Sequence, residues 1–157
     1  MINIIVACGL DRVIGRNGKL PWEIKEDWEY FLDTTRDGVL IMGRNCFAEF
    51  ESYAKEREVI VLTRNPNLSF KYARSAPSLR AAISLAEALG ETIWICGGEN
   101  IYREAMPYAD LLYITKINRK YDGDVYFPPW EEVFRKEISR NEILTNNLSL
   151  EFLVFAK

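Results

Sequence analysis

Short runs of isoleucine and valine recur along this chain with amphipathic stretches between them, and that rhythm limits the fold more than any other feature. Ile2 to Cys8, Val39 to Met42, Val59 to Leu62, Thr92 to Cys96 and Leu111 to Ile117 are apolar almost throughout. Such runs read as strands covered on both faces, and helical connections between them are what parallel pairing requires. The connections have helical spacing: Ile24 to Thr35, Asn45 to Phe50, Ser78 to Ala88 and Asn100 to Met106, with a short strand near Tyr72. From Val133 onward the helical pattern stops, and two alternating segments separated by Asn146-Asn147 read as an antiparallel hairpin. The fold class expected is α/β, mostly parallel, with an antiparallel edge. No repeat or linker interrupts the chain, so residues 1–157 read as one domain. The apolar start, Met1 to Leu10, reads as a first strand and not a signal peptide, because Asp11 and Arg12 cut it short.

Composition then narrows the chemistry. There is no histidine, which excludes imidazole acid-base catalysis, serine-histidine triads and histidine-bearing zinc sites. Any proton must be handled by a carboxylate, lysine, tyrosine or water. A net charge of −3 with no polybasic run argues against nucleic-acid binding, and no segment reaches membrane-spanning length. Cys8, Cys46 and Cys96 are odd in number and lack paired spacing, which fits a reducing cytoplasm better than a disulfide framework.

Asp27 is the anomaly on the first helix. It falls within the apolar stripe Ile24, Trp28, Phe31 and Thr35, while Lys25, Glu26, Glu29 and Asp33 supply the solvent face. An inward carboxylate needs hydrogen-bond partners or a cationic ligand. On position alone, a helix-start aspartate, a buried salt bridge and a functional site are all open readings. Three strand exits add weight: Gly43-Arg44, Thr63-Arg64 and Gly97-Gly98 each offer something to a phosphate where open parallel sheets bind ligands. Neither a complete G-x-G-x-x-G fingerprint nor a Walker loop is present. Residues 9–22, punctuated by Gly15, Gly18 and Pro21, are expected to be irregular, forming either a mobile cover or a packed loop.

Read in order, Ile14-Gly15, Leu20-Pro21-Trp22, Asp27, Phe31, Met42-Gly43-Arg44, Leu62-Thr63-Arg64-Asn65-Pro66, Gly97-Gly98, Ile101-Tyr102, Thr115 and Phe127-Pro128 resemble the dihydrofolate reductase family nearly end to end. The resemblance implies a central eight-stranded, mostly parallel sheet with an antiparallel C-terminal edge strand and four flanking helices. It implies hydride transfer from NADPH to C6 of dihydrofolate with a proton to N5, giving tetrahydrofolate for one-carbon metabolism, and inhibition by antifolates such as methotrexate or trimethoprim. Asp27 matches the carboxylate that binds the pteridine 2-amino group and N3, and Thr115 its supporting threonine. Trp22 matches the tryptophan that orders water beside the pteridine, and Leu20 the bulky residue of the mobile loop. Ile5, Val6, Ala7, Trp28, Phe31, Phe50 and Cys96 are implied around the substrate, with Arg57 pairing to the α-carboxylate of its glutamate.

For the cofactor the resemblance implies Ala7, Ile14 and Gly15 near the nicotinamide, Tyr102 at its side, Gly97 and Gly98 at the pyrophosphate, and Cys96, Glu99, Asn100 and Ile101 also in the binding site. Gly43, Arg44, Asn45, Cys46, Leu62, Thr63 and Arg64 are also implied at the cofactor, with Arg44, Thr63 and Arg64 reading the 2′-phosphate. Ile101 and Tyr102 also read as core residues of an amphipathic helix. No metal is implied, and a monomer is the default.

Several positions depart from the family pattern. Trp28 is larger, and Ala54 smaller, than the residues usual there, so a reshaped aminobenzoyl channel is expected. Cys46 stands in place of a threonine, which removes a hydroxyl donor near the cofactor phosphates. Related reductases acting on other pterins or on riboflavin precursors share this architecture, as would a non-catalytic binding protein derived from it. Asp27 beside Leu20-Pro21-Trp22 favours a folate-type pteridine.

Overall fold

The computed structural model describes residues 1–157. The strands are β1 (Ile2–Cys8), β2 (Val13–Gly15), β3 (Val39–Gly43), β4 (Glu58–Leu62), β5 (Arg74–Ala76), β6 (Ile93–Ile95), β7 (Leu111–Ile117), β8 (Val125–Tyr126), β9 (Lys136–Thr145) and β10 (Leu148–Ala156). The helices are α1 (Lys25–Thr34), α2 (Arg44–Phe50), α3 (Leu79–Leu89) and α4 (Glu99–Ala105). Eight strands form one sheet in the order β5-β4-β3-β6-β1-β7-β10-β9. Its five pairings from β5 to β7 are parallel, and the two made by β10 are antiparallel.

Period-two alternation assigns the helices to faces. Ile4, Val6 and Cys8 of β1 pack in the cluster that holds Leu79, Ala82, Ile83 and Ala86 of α3, Tyr102 and Ala105 of α4, and Met106 just after it. Ile5 belongs to the opposite cluster, with Leu40, Met42 and Trp94, against Phe47 and Phe50 of α2 and Trp28, Phe31 and Leu32 of α1. The chain leaves β1 for β3 on one side and β6 for β7 on the other, so the carboxyl ends of β1, β3 and β6 border the crevice such sheets use for ligands. At the far edge Asn146 and Asn147 both adopt left-handed φ, 49° and 61°, the turn geometry for which asparagine is suited.

Three expectations need correction. Residues 9–22 are not wholly irregular: β2 pairs with β8, and Phe127 N donates to Arg12 O at 2.7 Å. Strands this short fall below the length at which alternation can be read, and their partners lie more than a hundred residues apart. The short strand lies at Arg74–Ala76, because Tyr72 sits in a turn closed by the Phe70 and Ala73 bridge. The second helix starts at Arg44 and continues as a 3-10 segment, Glu51–Glu56.

Candidate active site

Helix α1 begins directly after the loop, with Glu26 and Asp27 in its first turn. Asp27 lines a cavity between α1, α2 and the sheet whose walls are apolar except for Asp27, Glu49 and Thr115. It takes part in none of the ion pairs, which removes the buried-salt-bridge reading. Burial pushes its carboxyl up to about 6, and the Thr115 hydroxyl pulls in the opposite direction. Thr115 is fixed by β7, paired with Ala7 on one side and Phe152 on the other.

Ile5, Val6, Ala7, Leu20, Trp28, Phe31, Phe50 and Cys96 share this cavity with Asp27. Phe50 is buried, and its ring meets Phe31 edge-on at 5.9 Å. Trp28 stacks among Phe31, Phe50 and Tyr53 at 5.3, 6.4 and 5.4 Å between centroids. Ala54 is buried in the same apolar cluster as Trp28 but lies behind the cavity wall and does not line it. Trp22 borders the mouth beside Asp27, packs on Tyr121 at 5.0 Å, and holds its Nε1 donor buried without a protein partner.

Arg57 lies outside the Asp27 cavity, in a groove with Arg36, Ser52, Tyr53 and Lys55 that joins the cavity mouth at Ser52 and Tyr53. Its Nη1 donates to Thr35 Oγ1 at 3.0 Å and its Nη2 to Leu32 O at 2.8 Å. The guanidinium is thus tied to the end of α1 with further N–H donors to spare. Partial burial, with Arg36 adding to it, lowers its pKa.

A second cleft adjoins the first. Ile14, Gly15, Asn45, Gly98 and Glu99 line it, and Val6, Ala7, Leu20, Cys46, Glu49, Cys96 and Tyr102 belong to both. Tyr102 is a core residue and a wall at once: it is buried, donates to Ile5 O at 2.8 Å and packs edge-on against Phe127. Ile101 packs against the core cluster beside it. The thiols here are pushed up by burial, Cys46 to about 11 with Glu49 adding to the rise, and Cys96 well above the ordinary value. Cys8, buried at the end of β1 in the core cluster of α3 and α4, rises to about 12.

Gly97 has φ +114°, and a Cβ there would lie 3.1 Å from the Tyr102 ring and 3.2 Å from Cys46 Sγ. A Cβ on Gly98 would meet nothing within 4 Å, so the backbone at the start of α4 faces open space. That combination, a backbone cradle beside an aromatic wall, fits a dinucleotide laid along the carboxyl ends of β1, β3 and β6. Gly43 abuts the cradle, its N donating to Gly97 O at 2.9 Å. Arg44 and Arg64 are exposed and unpaired, while Leu62 and Thr63 are half-buried at the end of β4. Gly43, Arg44, Leu62, Thr63, Arg64, Gly97, Asn100 and Ile101 do not line the cleft itself.

Sequence reasoning missed Glu49, Tyr30 and Met42 on the walls, and Gly123 beneath the loop. A Cβ on Gly123 would lie 2.3 Å from Val13 Cγ1 and 2.6 Å from Gly15 O, so β2 packs directly on its backbone. Neither Glu49 nor Gly123 carried a local signal: Glu49 resembles any solvent-facing helical glutamate, and Gly123 sits in an irregular stretch far along the chain from the β2 segment it meets.

Comparison with known proteins agrees along the whole length. The family model described as "Dihydrofolate reductase" matches residues 1–157. A dihydrofolate reductase of Staphylococcus haemolyticus is 39% identical over 137 residues, covering 84% of this chain and 82% of the relative. That of Bacillus subtilis is 32% identical, covering 100% and 95%. A solved dihydrofolate reductase from Enterococcus faecalis, complexed with NADP(H) and RAB-propyl, superposes with TM-score 0.90 at 26% identity, covering 99% of this chain and 95% of that one. The inward carboxylate and the two joined clefts thus occur in a chain that belongs to the dihydrofolate reductase family and catalyses the NADPH-dependent reduction of dihydrofolate to tetrahydrofolate.

Proposed function

We propose that the reaction is organised around Asp27, with the pteridine in the apolar cavity and the cofactor in the adjoining cleft. The observation that carries this assignment is a carboxylate without an ion-pair partner, raised to about 6, in a cavity whose other walls are almost wholly apolar. At neutral pH it is largely ionised, so it accepts from the pteridine 2-amino group and N3, with Thr115 supporting the contact. Its negative charge, screened little by the apolar walls, favours a proton at N5. Water beside Trp22 delivers that proton, since Asp27 binds the other side of the ring; the orphaned Nε1 donor supports a water site there.

NADPH, when bound, supplies the hydride. Ala7, Ile14, Gly15 and Tyr102 bring its nicotinamide against the substrate where the two clefts join, and Leu20 covers the junction against bulk water. Gly97, Gly98, Glu99, Asn100 and Ile101 form the pyrophosphate side, with Gly43, Asn45 and Leu62 toward the adenosine end and Cys46 and Cys96 on the walls common to the two clefts. Arg44, Thr63 and Arg64 recognise the 2′-phosphate, which sets NADPH above NADH. Ile5, Val6, Trp28, Phe31 and Phe50 enclose the substrate, and Arg57 pairs with the α-carboxylate of its glutamate. Diaminopyrimidine and pteridine antifolates, trimethoprim and methotrexate among them, occupy the Asp27 cavity. The chain works as a single-domain monomer in the cytoplasm; its three free thiols fit a reducing setting.

The test follows NADPH absorbance with dihydrofolate for the wild type and Asp27→Asn. Oxidation that depends on dihydrofolate is expected of the wild type, and its absence would sink the reading. An undiminished Asn variant would remove Asp27 from its role.

A further inference from the structure

The tip of the loop, Arg16 to Leu20, is exposed throughout, and within it only Arg16 and Lys19 exchange backbone hydrogen bonds, at 2.8 and 3.1 Å. Two contacts fasten it to the rest of the molecule. Asn17 N donates to Asp124 Oδ2 at 3.4 Å, and Leu20 N donates to Glu49 Oε1 at 3.3 Å. Glu49 comes from α2, which is anchored from beneath by the buried rings of Phe47 and Phe50, so the carboxylate is held on a fixed element while the loop is not. Glu49 and Leu20 both line the Asp27 cavity, its mouth and the cofactor cleft.

We infer that Glu49 is a positioning residue of the reductase: from α2 it accepts the Leu20 amide and fixes the loop across the junction of the two clefts. This inference rests on the cofactor and substrate assignment above. An ionised acceptor makes the stronger kind of amide hydrogen bond, and here it closes a connection between residues 29 positions apart. Without it, the loop between its β2 end and Trp22 keeps only the Asn17 tether. Leu20 then spends less time over the junction, and NADPH leaves more readily. Glu49 also faces Cys46, with which it shares the walls of both clefts. Glutamine keeps an acceptor oxygen of the same reach, whereas alanine removes it without harm to an exposed helical position.

Two readouts test this. Amide hydrogen exchange at Leu20 in the ligand-free protein is expected to quicken about fivefold in Glu49→Ala and to stay within about twofold of wild type in Glu49→Gln. Steady-state kinetics are expected to show KM for NADPH raised about three- to fivefold in Glu49→Ala, with kcat changed less, and restored in Glu49→Gln. Glu51→Ala removes a neighbouring exposed charge outside the site and is expected to change neither readout. Unaltered exchange at Leu20 in Glu49→Ala would overturn the inference. So would a Gln variant that behaves like Ala, or a Glu51→Ala variant that loosens the loop equally. Exchange is read without substrate, so a wild-type protein that failed to reduce dihydrofolate would refute the functional assignment separately.

Discussion

Asp27, inside its cavity, and the pair Arg44 and Arg64, beyond β3 and β4 and outside both clefts, hold their charges in opposite surroundings. Asp27 stands in an apolar cavity, and burial has moved its carboxyl from 3.8 to about 6. The arginines stand exposed at the ends of β3 and β4, without ion-pair partners. A charge of the first kind is worth most to a ligand that displaces the last water from it; a charge of the second kind acts through several screened contacts. The difference teaches where each region spends stability. The arginines cost the fold little, whereas an ionised Asp27 costs it something whenever no pteridine is bound.

The largest expected effect breaks the first region. Asp27→Asn should lower kcat/KM for dihydrofolate on the order of a hundredfold or more, measured by NADPH oxidation. The same change should stabilise the fold. Because the folded pKa is raised, the carboxyl's favourable contribution is complete below about pH 4 and is lost as pH rises through about 6, a difference of about 3 kcal/mol. Chemical denaturation should therefore show the Asn variant gaining on the wild type at pH 8 and losing that margin below pH 4. A constant margin across pH would place Asp27 in better-solvated surroundings than its neighbours suggest.

The second region yields more gradually. Arg44→Ala with Arg64→Ala should reduce the preference for NADPH over NADH by about thirtyfold, with kcat/KM for NADH nearly unchanged and the loss shrinking at high salt. A salt-insensitive loss would mean that the arginines act by packing. Arg57→Lys should raise KM for dihydrofolate about fivefold, because a lysine cannot keep Thr35 and Leu32 O and still present a planar fork. The smallest effect is expected at the junction: Cys46→Thr should lower KM for NADPH about twofold by adding a hydroxyl donor. An unchanged KM would show that the thiol already makes the contact its position allows.

The two regions also differ in how far the sequence disclosed them. Asp27 was legible because helical periodicity is strict: a carboxylate between Trp28 and Phe31 on an apolar stripe has to face inward. Gly97-Gly98 and Arg44 were legible as strand exits. Glu49 and Gly123 were not, since each acquires meaning from a segment distant in the chain, the Leu20 amide in one case and Val13 in the other. The same reason hid β2 and β8, whose pairing is a property of closure and not of local pattern. The central parallel strands were legible because their composition carries their burial, and the C-terminal hairpin through its alternation and its Asn146-Asn147 turn, while the short exposed β5 was misplaced.

The thiols lining the two clefts, and the one buried at the end of β1, give this site an unexpected durability. With Cys46 raised to about 11 and Cys8 to about 12, the thiolate at neutral pH amounts to roughly one part in ten thousand or less. Peroxide and alkylating agents attack the thiolate, so the pocket sits among sulfurs that are near at hand but chemically quiet. A covalent inhibitor aimed at Cys46 would have to depend on long residence in the cleft, because the sulfur itself contributes little nucleophilicity.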